Sequence, residues 1–509
     1  MERTKIIDTK AGKIQGIKDE DIEIFKGIPY TERVVGDLRF KPPVPAKRFP
    51  GVFLATEFGP ICPQVISPKL INPPNPQSEP DCLNLNIWTP SSDRDKRSVM
   101  VWIHGGGLRS HSQRSYDGTF LAKRGNVVVV TLNYRLNALG FSFIPGIVTA
   151  PIGILDQITA LKWVRDNIEN FGGDPARVTI FGESAGGWSV STLLTIPEAK
   201  GLFHRAIAQS GACNPAGFRV SEGKDLSERV LSEVGIQDGD LEALRKISAY
   251  ELVNAESKAW IEKVEKELKP WPLVSPPYID GEYILEHPLD LIRKGAAAEV
   301  DLLVGTNLNE STSMKPDPND DSDFKEVSEN GMHNWMKLVM KSLGQNEDKA
   351  VSLINAYRET RKDESSLSPQ VVMDAFLTDF EFRIAAIRTA EAQSIQNSNT
   401  YMYLFTWPSP FMDGKFGAFH TCEIPFVFGM LDNPNWSIFS DTSEEAKTHS
   451  EKIMDSWIAF ARTGNPSHSG IPEWPKYNVE KRSTMLLGKE IKAVDDPYGK
   501  ERMAWDGIM

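Results

Sequence analysis

The sequence predicts an α/β protein, built on a mainly parallel β-sheet with helices on both faces. Two short apolar runs, 98–103 (SVMVWI) and 126–132 (NVVVVTL), are typical of buried strands. A helical pattern at 154–171 follows them, and the next strand-like stretch, 178–181, runs directly into a second helix at 188–194. Strands that alternate with helices pair in parallel, because each helix carries the chain back across the sheet.

Other parts of the chain continue this pattern. Further strands are predicted at 13–16, 22–25, 206–209, 300–305 and 401–406, and a last helix at 443–462. The charged stretch 256–268 (ESKAWIEKVEKEL) is typical of a solvent-exposed helix. A chain of 509 residues allows roughly two to four domains. Because no linker separates its parts, we interpret 1–509 as one domain with a helical excursion at about 221–400.

The composition excludes several classes of function. The net charge is −12 and no cluster of Lys and Arg could follow a phosphate backbone, so we expect no nucleic-acid partner. The most apolar run, 127–132, is far shorter than the roughly 20 residues that span a bilayer, so we expect no membrane partner. The four cysteines and eight histidines show no zinc-type spacing, so we expect no metal and no cofactor.

The N-terminal residues, MERTKIIDTKAGK, lack the apolar stretch of a secretory signal. We therefore expect a cytoplasmic protein, with secretion as the alternative if a signal was removed. Glycosylation triplets begin at Asn309 and Asn435, but such triplets are common by chance and indicate secretion only weakly. The sequence leaves the oligomeric state open between a monomer and a homodimer.

One short stretch, Gly182-Glu183-Ser184-Ala185-Gly186, matches the pattern G-x-S-x-G. In isolation the pattern is weak, and Ser184 could simply occupy a tight turn. Here, however, a strand-like run precedes it and a helix follows. In such a turn the small neighbours let the backbone close, while the serine hydroxyl projects above the sheet. The context therefore predicts that Ser184 is a nucleophile.

A nucleophilic serine needs hydrogen-bond donors for the negative charge that develops on the attacked carbonyl oxygen. His104-Gly105-Gly106-Gly107 follows the first predicted strand directly, and consecutive glycines let backbone N–H groups point into a cavity. The pattern H-G-G-G is typical of an esterase oxyanion loop. We predict that the N–H groups of Gly106, Gly107 and Ala185 bind the oxyanion. A plain glycine turn is the alternative, and the serine motif later in the chain disfavours it.

Several long stretches, in this order along the chain, resemble those of the type-B carboxylesterases, the family of the cholinesterases and the bacterial para-nitrobenzyl esterases. They are FKGIPYTERVVGDLRFKPP, GPICPQ, DCLNLNIWTP, VMVWIHGGG, VVVVTLNYRLNALGF, GILDQITALKWVRDNIENFGGDP, VTIFGESAGG, FHRAIAQSG, VGTNLNES and HTCEIPFVFG. The resemblance covers nearly the whole chain. It implies the α/β-hydrolase fold, with helical insertions over the active site, and a serine carboxylesterase that works through an acyl-enzyme intermediate.

The resemblance also implies the other catalytic residues. In an α/β-hydrolase the acid and then the base follow the serine along the chain. The family pattern places the acid at Glu310 and the base at His420. Three other histidines lie late in the chain. Of these, His449 falls in a charged helix and His468 in a Ser/Pro-rich loop, so both are expected at the surface.

Around the acid, this chain departs from the family. The family commonly has Asp before the acid and Gly after it, where this chain has Asn309 and Ser311. The difference weakens the match without changing the role of Glu310. A glycan beside a catalytic acid would oppose folding, which favours a protein that is not secreted. By resemblance, Ser210 is expected to hydrogen-bond Glu310, and Glu183 to shape the electric field beside the nucleophile.

The family commonly closes a disulfide at the positions of Cys62 and Cys82. In a reducing cytosol these cysteines would stay thiols, so the pairing is left open. An acidic residue often precedes the Asp-Cys pair in the family, where this chain has Pro80. An ion pair with Arg39 would then depend on Glu79.

The substrate is less well defined than the reaction. Cholinesterases place a cation-binding Trp between the two cysteines, whereas 63–81 of this chain contains no Trp, Tyr or Phe, so we predict poor hydrolysis of choline esters. The small residues in 212–218 (ACNPAGF) predict a roomy acyl side. We expect small to medium acyl or aryl esters as substrates. The alternatives are a specialised hydrolase of a lactone, carbamate, toxin or polyester and, more remotely, a non-catalytic binding or adhesion protein, which would be expected to lack the serine or the glycines.

Overall fold

The structure is a computed structural model, and it describes residues 2–65, 76–237, 240–266, 276–313, 327–362 and 367–509. Within these residues the strands are β1 (Glu2–Arg3), β2 (Ile7–Thr9), β3 (Gly12–Gln15), β4 (Ile17–Asp19), β5 (Ile22–Pro29), β6 (Val52–Leu54), β7 (Asn84–Thr89), β8 (Arg97–Ile103), β9 (Val128–Leu132), β10 (Gly173–Glu183), β11 (Arg205–Gln209), β12 (Asp301–Asn307), β13 (Thr400–Phe405), β14 (Ser483–Leu487) and β15 (Ile491–Asp495).

The α-helices of the same residues are α1 (Thr119–Gly125), α2 (Asn137–Phe141), α3 (Ile152–Asn167), α4 (Ala185–Leu193), α5 (Val220–Glu233), α6 (Leu241–Lys246), α7 (Ala249–Ile261), α8 (Pro288–Arg293), α9 (Glu329–Ser342), α10 (Asp348–Thr360), α11 (Pro369–Thr378), α12 (Ile384–Gln396), α13 (Ile424–Phe428), α14 (Glu444–Thr463) and α15 (Gly499–Ala504). A π-helical turn, Asp379–Arg383, joins α11 to α12.

One large sheet organises the fold. Its strand order is β1-β4-β5-β7-β9-β8-β10-β11-β12-β13-β14-β15, and β2, β3 and β6 form a separate small sheet. All neighbours from β9 to β14 in that order run parallel, and the pairs outside this central part are antiparallel. The predicted mainly parallel sheet is therefore confirmed.

The parallel strands bring their C-terminal ends to one edge of the sheet, where ligands bind in folds of this class. At this edge Ile103 of β8 is level with Gly182 of β10, and Glu183 is level with Gln209 of β11. The next pairing sets Gln209 level with Gly305 of β12. The segments that follow β8, β10 and β12 are those for which the sequence predicts the oxyanion loop, the nucleophile and the acid.

Helix α3 differs from its predicted character. An amphipathic helix is predicted at 154–171, but α3 spans Ile152–Asn167, a 3₁₀ turn (Ile168–Phe171) continues it, and nearly all of its side chains are buried. Its polar side chains are buried because they have partners. Asp156 pairs with Arg135, and the Gln157 side chain donates a hydrogen bond to Ser189 Oγ at 3.0 Å.

The helix predicted at 256–268 is present as the end of α7 and the π-helical turn after it, but only some of its described side chains are exposed, such as Lys258 at 68%. The Glu256 side chain is only 7% exposed, because it forms an ion pair with Arg109. Lys263 is fully buried between the carboxylates of Glu222 and Asp225. Opposite charges supplied by distant segments allow this charged stretch to pack inward. Residues 267 and 268 lie outside the described part.

Towards the C-terminus, the helix predicted at 443–462 is α14, but it is not the last element. The antiparallel pair β14–β15 and the short helix α15 follow it. The Trp505 indole N–H donates to the Tyr357 hydroxyl at 2.8 Å. Arg383 pairs with Glu501 of α15 at 2.8 Å, so the C-terminal segment is anchored on the helices that follow β12.

Candidate active site

The backbone at Ser184 forms a sharp turn between a strand and a helix. Strand β10 ends at Glu183, α4 begins at Ala185, and Ser184 between them has φ 58° and ψ −124°. A non-glycine residue in this region is strained, which is expected of a nucleophile elbow. The Ser184 N–H donates to the Gln209 carbonyl at 2.9 Å. A Cβ on Gly186 would lie 2.0 Å from the Ile103 carbonyl oxygen, so only glycine fits there.

Glu310 and His420 meet beside this turn, although 110 positions separate them in the chain. Glu310 begins the 3₁₀ turn Glu310–Ser313, soon after β12 ends, and its carboxylate is fully buried. One oxygen, Oε1, accepts from the Asn307 N–H at 2.7 Å, and the other, Oε2, lies 2.6 Å from His420 Nδ1. With both oxygens engaged, Glu310 holds the imidazole in one orientation.

The opposite nitrogen of His420 faces a second carboxylate. His420 Nε2 lies 3.1 Å from Glu183 Oε1. Glu183 Oε1 has no aligned hydrogen bond, so this is a close electrostatic contact. Among the hydrogen bonds of the described residues, none joins the Ser184 hydroxyl to His420. The structure thus brings the predicted acid, Glu310, and the predicted base, His420, together. The predicted nucleophile, Ser184, directly follows Glu183 in the chain.

The carboxylates set the protonation of His420. Burial by itself disfavours the imidazolium, but the negative charges of Glu183, Glu310 and Glu423 outweigh it and raise the pKa of His420 to about 9. Burial in turn raises the pKa of Glu183, and the charge of His420 opposes that shift. The imidazole and the Glu183 carboxylate are therefore electrostatically coupled.

A change at Glu183 is expected to move the pH dependence of hydrolysis. Because a general base must be neutral, kcat/KM should rise with pH and still be rising as pH approaches 9, the pKa of His420 being about 9. Glu183→Gln removes one of the charges that raise this pKa, so the rising limb should move to lower pH by about one unit. The measurement is kcat/KM for p-nitrophenyl acetate between pH 5 and 10.

The matched control for this experiment is Glu198→Gln, which removes an exposed carboxylate from the turn Pro197–Ala199. The control should leave the rising part of the pH profile of kcat/KM at the same pH as in the wild type. Coincident profiles for the wild type and Glu183→Gln would contradict the electrostatic role of Glu183.

The glycine loop after β8 lies against the elbow. A Cβ on Gly105 would be 3.1 Å from Ser184 Cβ and 3.0 Å from Glu183 Oε2. Gly106 has φ 94°, which favours glycine, and its carbonyl accepts the N–H groups of Arg109 and Ser110, each at 3.0 Å. Gly107 also lies in the left-handed region, at φ 62°.

Two neighbouring features fit the predicted role of this loop. The ring of His104 is buried and stacks on Tyr134, with 4.5 Å between centroids, and burial lowers its pKa to about 3, which keeps it uncharged. Ala185 opens α4, and the first N–H groups of a helix have no acceptor within it. The three predicted donors, those of Gly106, Gly107 and Ala185, therefore lie in segments that border Ser184.

One predicted contact is absent. The Ser210 hydroxyl is buried without a hydrogen-bond partner, so the expected bond from Ser210 to Glu310 is not formed. The partners of the two Glu310 oxygens are His420 Nδ1 and the Asn307 N–H. The backbone of Ser210 is used instead, since its N–H donates to the Gly305 carbonyl at 2.8 Å.

Sequence reasoning missed two residues next to the base. The ring of Phe382, in the π-helical turn, lies on His420 with 4.7 Å between centroids. The Glu423 carboxylate is buried and accepts from the side chains of Asn307 at 2.7 Å and Gln209 at 3.1 Å. Burial and the charge of Glu310 raise its pKa. Its position three residues after His420 is a signal that could have pointed to it, whereas Phe382 is distant in sequence.

The remaining late histidines lie away from the site. His449 was predicted at the surface, and this is wrong. Its side chain is buried, its ring centroid lies 4.8 Å from that of Trp407, and burial lowers its pKa to about 4. His468 is half-buried and its Nε2 lies 3.0 Å from the Lys452 carbonyl. His333 lies 3.1 Å from Glu329 on α9.

The cysteine loop has the geometry that the resemblance implies. Cys62 and Cys82 are joined as a disulfide, with Cα atoms 4.8 Å apart. Arg39 pairs with Glu79 at 2.6 Å, so Glu79 provides the carboxylate that is missing at Pro80. Part of the loop for which the choline prediction was made, 66–75, lies outside the described residues.

The described residues contain neither a metal-binding cluster nor a helix that could span a membrane. No group of three or more His, Cys, Asp or Glu side chains in them has an arrangement that could hold a metal ion. No helix in the same part of the chain is long and apolar enough to cross a bilayer.

The parallel sheet, its crossover helices and the strand–serine–helix turn make this chain an α/β-hydrolase. Solved structures of two esterases superimpose on nearly all of it. A thermophilic pNB esterase has a TM-score of 0.85 at 36% identity, covering 98% of this chain and 99% of its own. A Geobacillus stearothermophilus carboxylesterase has a TM-score of 0.85 at 36% identity, covering 99% of this chain and 100% of its own.

The chain belongs to the carboxylesterase family, whose model matches residues 3–505. The para-nitrobenzyl esterase of Bacillus subtilis is 38% identical over 98% of this chain and 98% of its own. The phenmedipham hydrolase of Pseudarthrobacter oxydans is 32% identical over 95% of each chain. The human cocaine esterase is 34% identical over 93% of this chain and 86% of its own. The protein is thus a carboxylic-ester hydrolase.

Proposed function

We propose that this enzyme hydrolyses small to medium acyl or aryl esters, with Ser184 as nucleophile, His420 as general base and Glu310 as the acid that orients it. The observation that carries the proposal is the strained backbone of Ser184, φ 58° and ψ −124°, at the sheet edge where the buried Glu310–His420 pair also lies. Strain of this kind persists only where the surrounding structure holds it, and it is concentrated at active sites.

In the proposed reaction, the Ser184 oxygen attacks the ester carbonyl carbon as His420 Nε2 takes the hydroxyl proton. For this, Nε2 must exchange its contact with Glu183 for one with Ser184. Glu310 stabilises the imidazolium through Nδ1. His420 then gives the proton to the leaving alcohol, and an acyl-enzyme remains. Water, activated by His420, releases the acid and regenerates Ser184.

The negative charge on the carbonyl oxygen is proposed to lie among the N–H groups of Gly106, Gly107 and Ala185. Backbone donors suit this role because the fold positions them before the reaction begins. Loss of one such donor typically costs about 3 kcal/mol in the transition state. The close packing of Gly105 against Glu183 and Ser184 supports this placement.

Broad specificity is supported by the names of the relatives, which include a para-nitrobenzyl esterase, a phenmedipham hydrolase and a cocaine esterase. A panel of p-nitrophenyl acetate, butyrate and octanoate, a lactone and phenmedipham tests the proposal through kcat/KM for each. We expect the acetate and butyrate esters to be the fastest. No turnover of any p-nitrophenyl ester would overturn the proposed function, and exclusive turnover of phenmedipham or the lactone would favour the specialised alternative.

Choline esters are expected to be poor substrates. A quaternary ammonium gains binding energy mainly from an aromatic face, and 63–81 contains no Trp, Tyr or Phe. Butyrylcholine should therefore have a lower kcat/KM than 3,3-dimethylbutyl butyrate, its uncharged counterpart, measured by pH-stat titration. A higher value for butyrylcholine would show that another part of the cleft binds the cation.

We further propose that the protein acts in the cytoplasm. The contacts of Asn309 support this, because its side-chain oxygen accepts the Ala418 N–H at 3.1 Å beside buried Glu310. A glycan joined to Nδ2 of the same half-buried amide would crowd this segment beside Glu310. In this reducing compartment the disulfide between Cys62 and Cys82 would be reduced to two thiols. Cell fractionation with the esterase activity as marker tests the location.

A further inference from the structure

The oxyanion loop continues into two side chains that flank its glycines. A Cβ on Gly107 would lie 3.9 Å from Arg109 Cδ, so the stem of Arg109 runs beside that glycine. A Cβ on Gly106 would lie 2.7 Å from His111 Cδ2, which places the imidazole of His111 on the other side. Gly107 itself is exposed, so the loop borders open space. Arg109 thus brings a guanidinium to the edge of the proposed oxyanion site.

Helix α7 holds the guanidinium of Arg109 in place. Arg109 Nη1 donates to Glu256 Oε1, and the guanidinium carbon lies 4.6 Å from the centre of the Trp260 ring. Glu256 and Trp260 are four residues apart and therefore share one face of the helix. An ion pair and a cation–π contact from one helix face restrict the arginine more than either would alone.

Part of the guanidinium remains available to a ligand. An arginine side chain has five N–H donors, and the hydrogen bonds of the described residues use Nη1 of Arg109 but neither Nε nor Nη2. The side chain is 18% exposed, and its remaining nitrogens are not among the buried polar atoms that lack a partner. Nε and Nη2 therefore keep some contact with solvent, while most of the side chain is covered.

We propose that Arg109 is a carboxylate-binding subsite, so that the enzyme accepts esters that also carry a free carboxylate. The proposal rests on the proposed function, because it concerns the substrate of the same site. A guanidinium whose orientation is fixed binds a planar carboxylate through two parallel hydrogen bonds. A monoanion is the best ligand, since Glu256 already contacts Arg109 and the chain has a net charge of −12.

Two pairs of rigid esters test the subsite, each with a para-carboxylate that cannot reach its own ester bond. One pair carries the charge on the acyl side, 4-nitrophenyl hydrogen terephthalate and its methyl ester. The other carries it on the alcohol side, 4-acetoxybenzoate and its methyl ester. The measurement is kcat/KM for all four in the wild type and in Arg109→Gln. In at least one pair, the variant should lose about tenfold or more on the anionic member, mainly through KM, and change little on the neutral one.

Three further variants separate the subsite from other effects. Arg114→Gln removes a positive charge from a neighbouring turn, where the guanidinium lies 5.2 Å from the Phe58 ring. In each pair of esters, it should leave the ratio of kcat/KM for the anionic member to kcat/KM for the neutral member unchanged. Arg109→Lys keeps the charge but not the paired donors, so it should restore only part of the loss. Glu256→Gln removes the competing charge, while the glutamine amide oxygen can still accept from Nη1 and Trp260 still packs on the guanidinium, so it should raise the preference for the anionic member.

The outcomes decide the proposal. If Arg109→Gln lowers kcat/KM equally for charged and neutral members, Arg109 only supports the loop and the subsite is refuted. The same conclusion follows if neither ratio changes, or if the wild type turns over neither anionic ester. Failure of the wild type on the neutral esters would instead overturn the proposed function, so the two failures are distinguishable.

Discussion

Replacing Ser184 by alanine is expected to lower kcat for p-nitrophenyl butyrate by about 10⁵- to 10⁶-fold, the loss typical of removing a serine nucleophile. The oxyanion donors remain in the variant, so a small residual rate above that of water should persist. Initial rates at 405 nm with excess enzyme measure this residual rate. A burst of p-nitrophenol in the wild type, absent from the variant, would show the acyl-enzyme directly.

The matched control is Ser191→Ala, which makes the same change within α4, the helix that follows Ser184. The Ser191 hydroxyl donates to the Gly211 carbonyl at 3.1 Å and takes no part in the proposed chemistry. Its loss should leave kcat within about threefold of the wild type while lowering stability by about 1 kcal/mol. Full turnover by Ser184→Ala, with a thermal melt like that of the wild type, would refute the assignment of the nucleophile.

The substitution Asp156→Asn is expected to lower the free energy of unfolding by about 3–5 kcal/mol, because it leaves a buried positive charge without its counterion. The side chains of Arg135 and Asp156 are 2% and 0% exposed, and Arg135 Nη2 lies 2.6 Å from Asp156 Oδ1. Arg135 also donates through Nε and its backbone N–H to the other carboxylate oxygen, at 2.8 and 2.9 Å. Urea unfolding followed by fluorescence measures the loss.

An exposed ion pair gives the comparison. The side chains of Arg124 and Asp455 are 33% and 34% exposed, and the two groups are 2.7 Å apart. Because solvent screens this pair, Asp455→Asn should cost only about 0–1 kcal/mol. Equal losses in Asp156→Asn and Asp455→Asn would contradict the argument from burial.

The sheet was predictable from the sequence because its strands are buried on both faces. The runs 98–103 and 126–132 are almost wholly apolar, so burial alone indicates their conformation, and β8 and β9 lie there. The turn at Ser184 was predictable for a different reason, since only small residues permit its geometry. The strands β14 and β15 gave a weaker signal, because both are short and mix polar with apolar residues, STMLL and IKAVD.

Errors in the prediction concern polar residues whose partners are far away in sequence. Nothing near Glu256 indicates that Arg109, 147 positions earlier, neutralises it. In the same way, His449 lies among charged residues of α14, yet its ring packs on Trp407. The expected bond from Ser210 to Glu310 is absent, and the donors that Glu310 does use, His420 and the Asn307 N–H, are placed by the fold. Such contacts are determined by tertiary packing, which local pattern does not record.

The backbone angles of Ser184 also bear on how the protein can evolve. A residue with a side chain is strained at φ 58°, whereas glycine adopts this region readily. Selection for stability alone would therefore favour glycine at this position and yield a more robust but inert hydrolase. The conformation that makes the Ser184 hydroxyl accessible thus lowers folding stability in exchange for catalytic activity. Only selection for turnover keeps serine at this position.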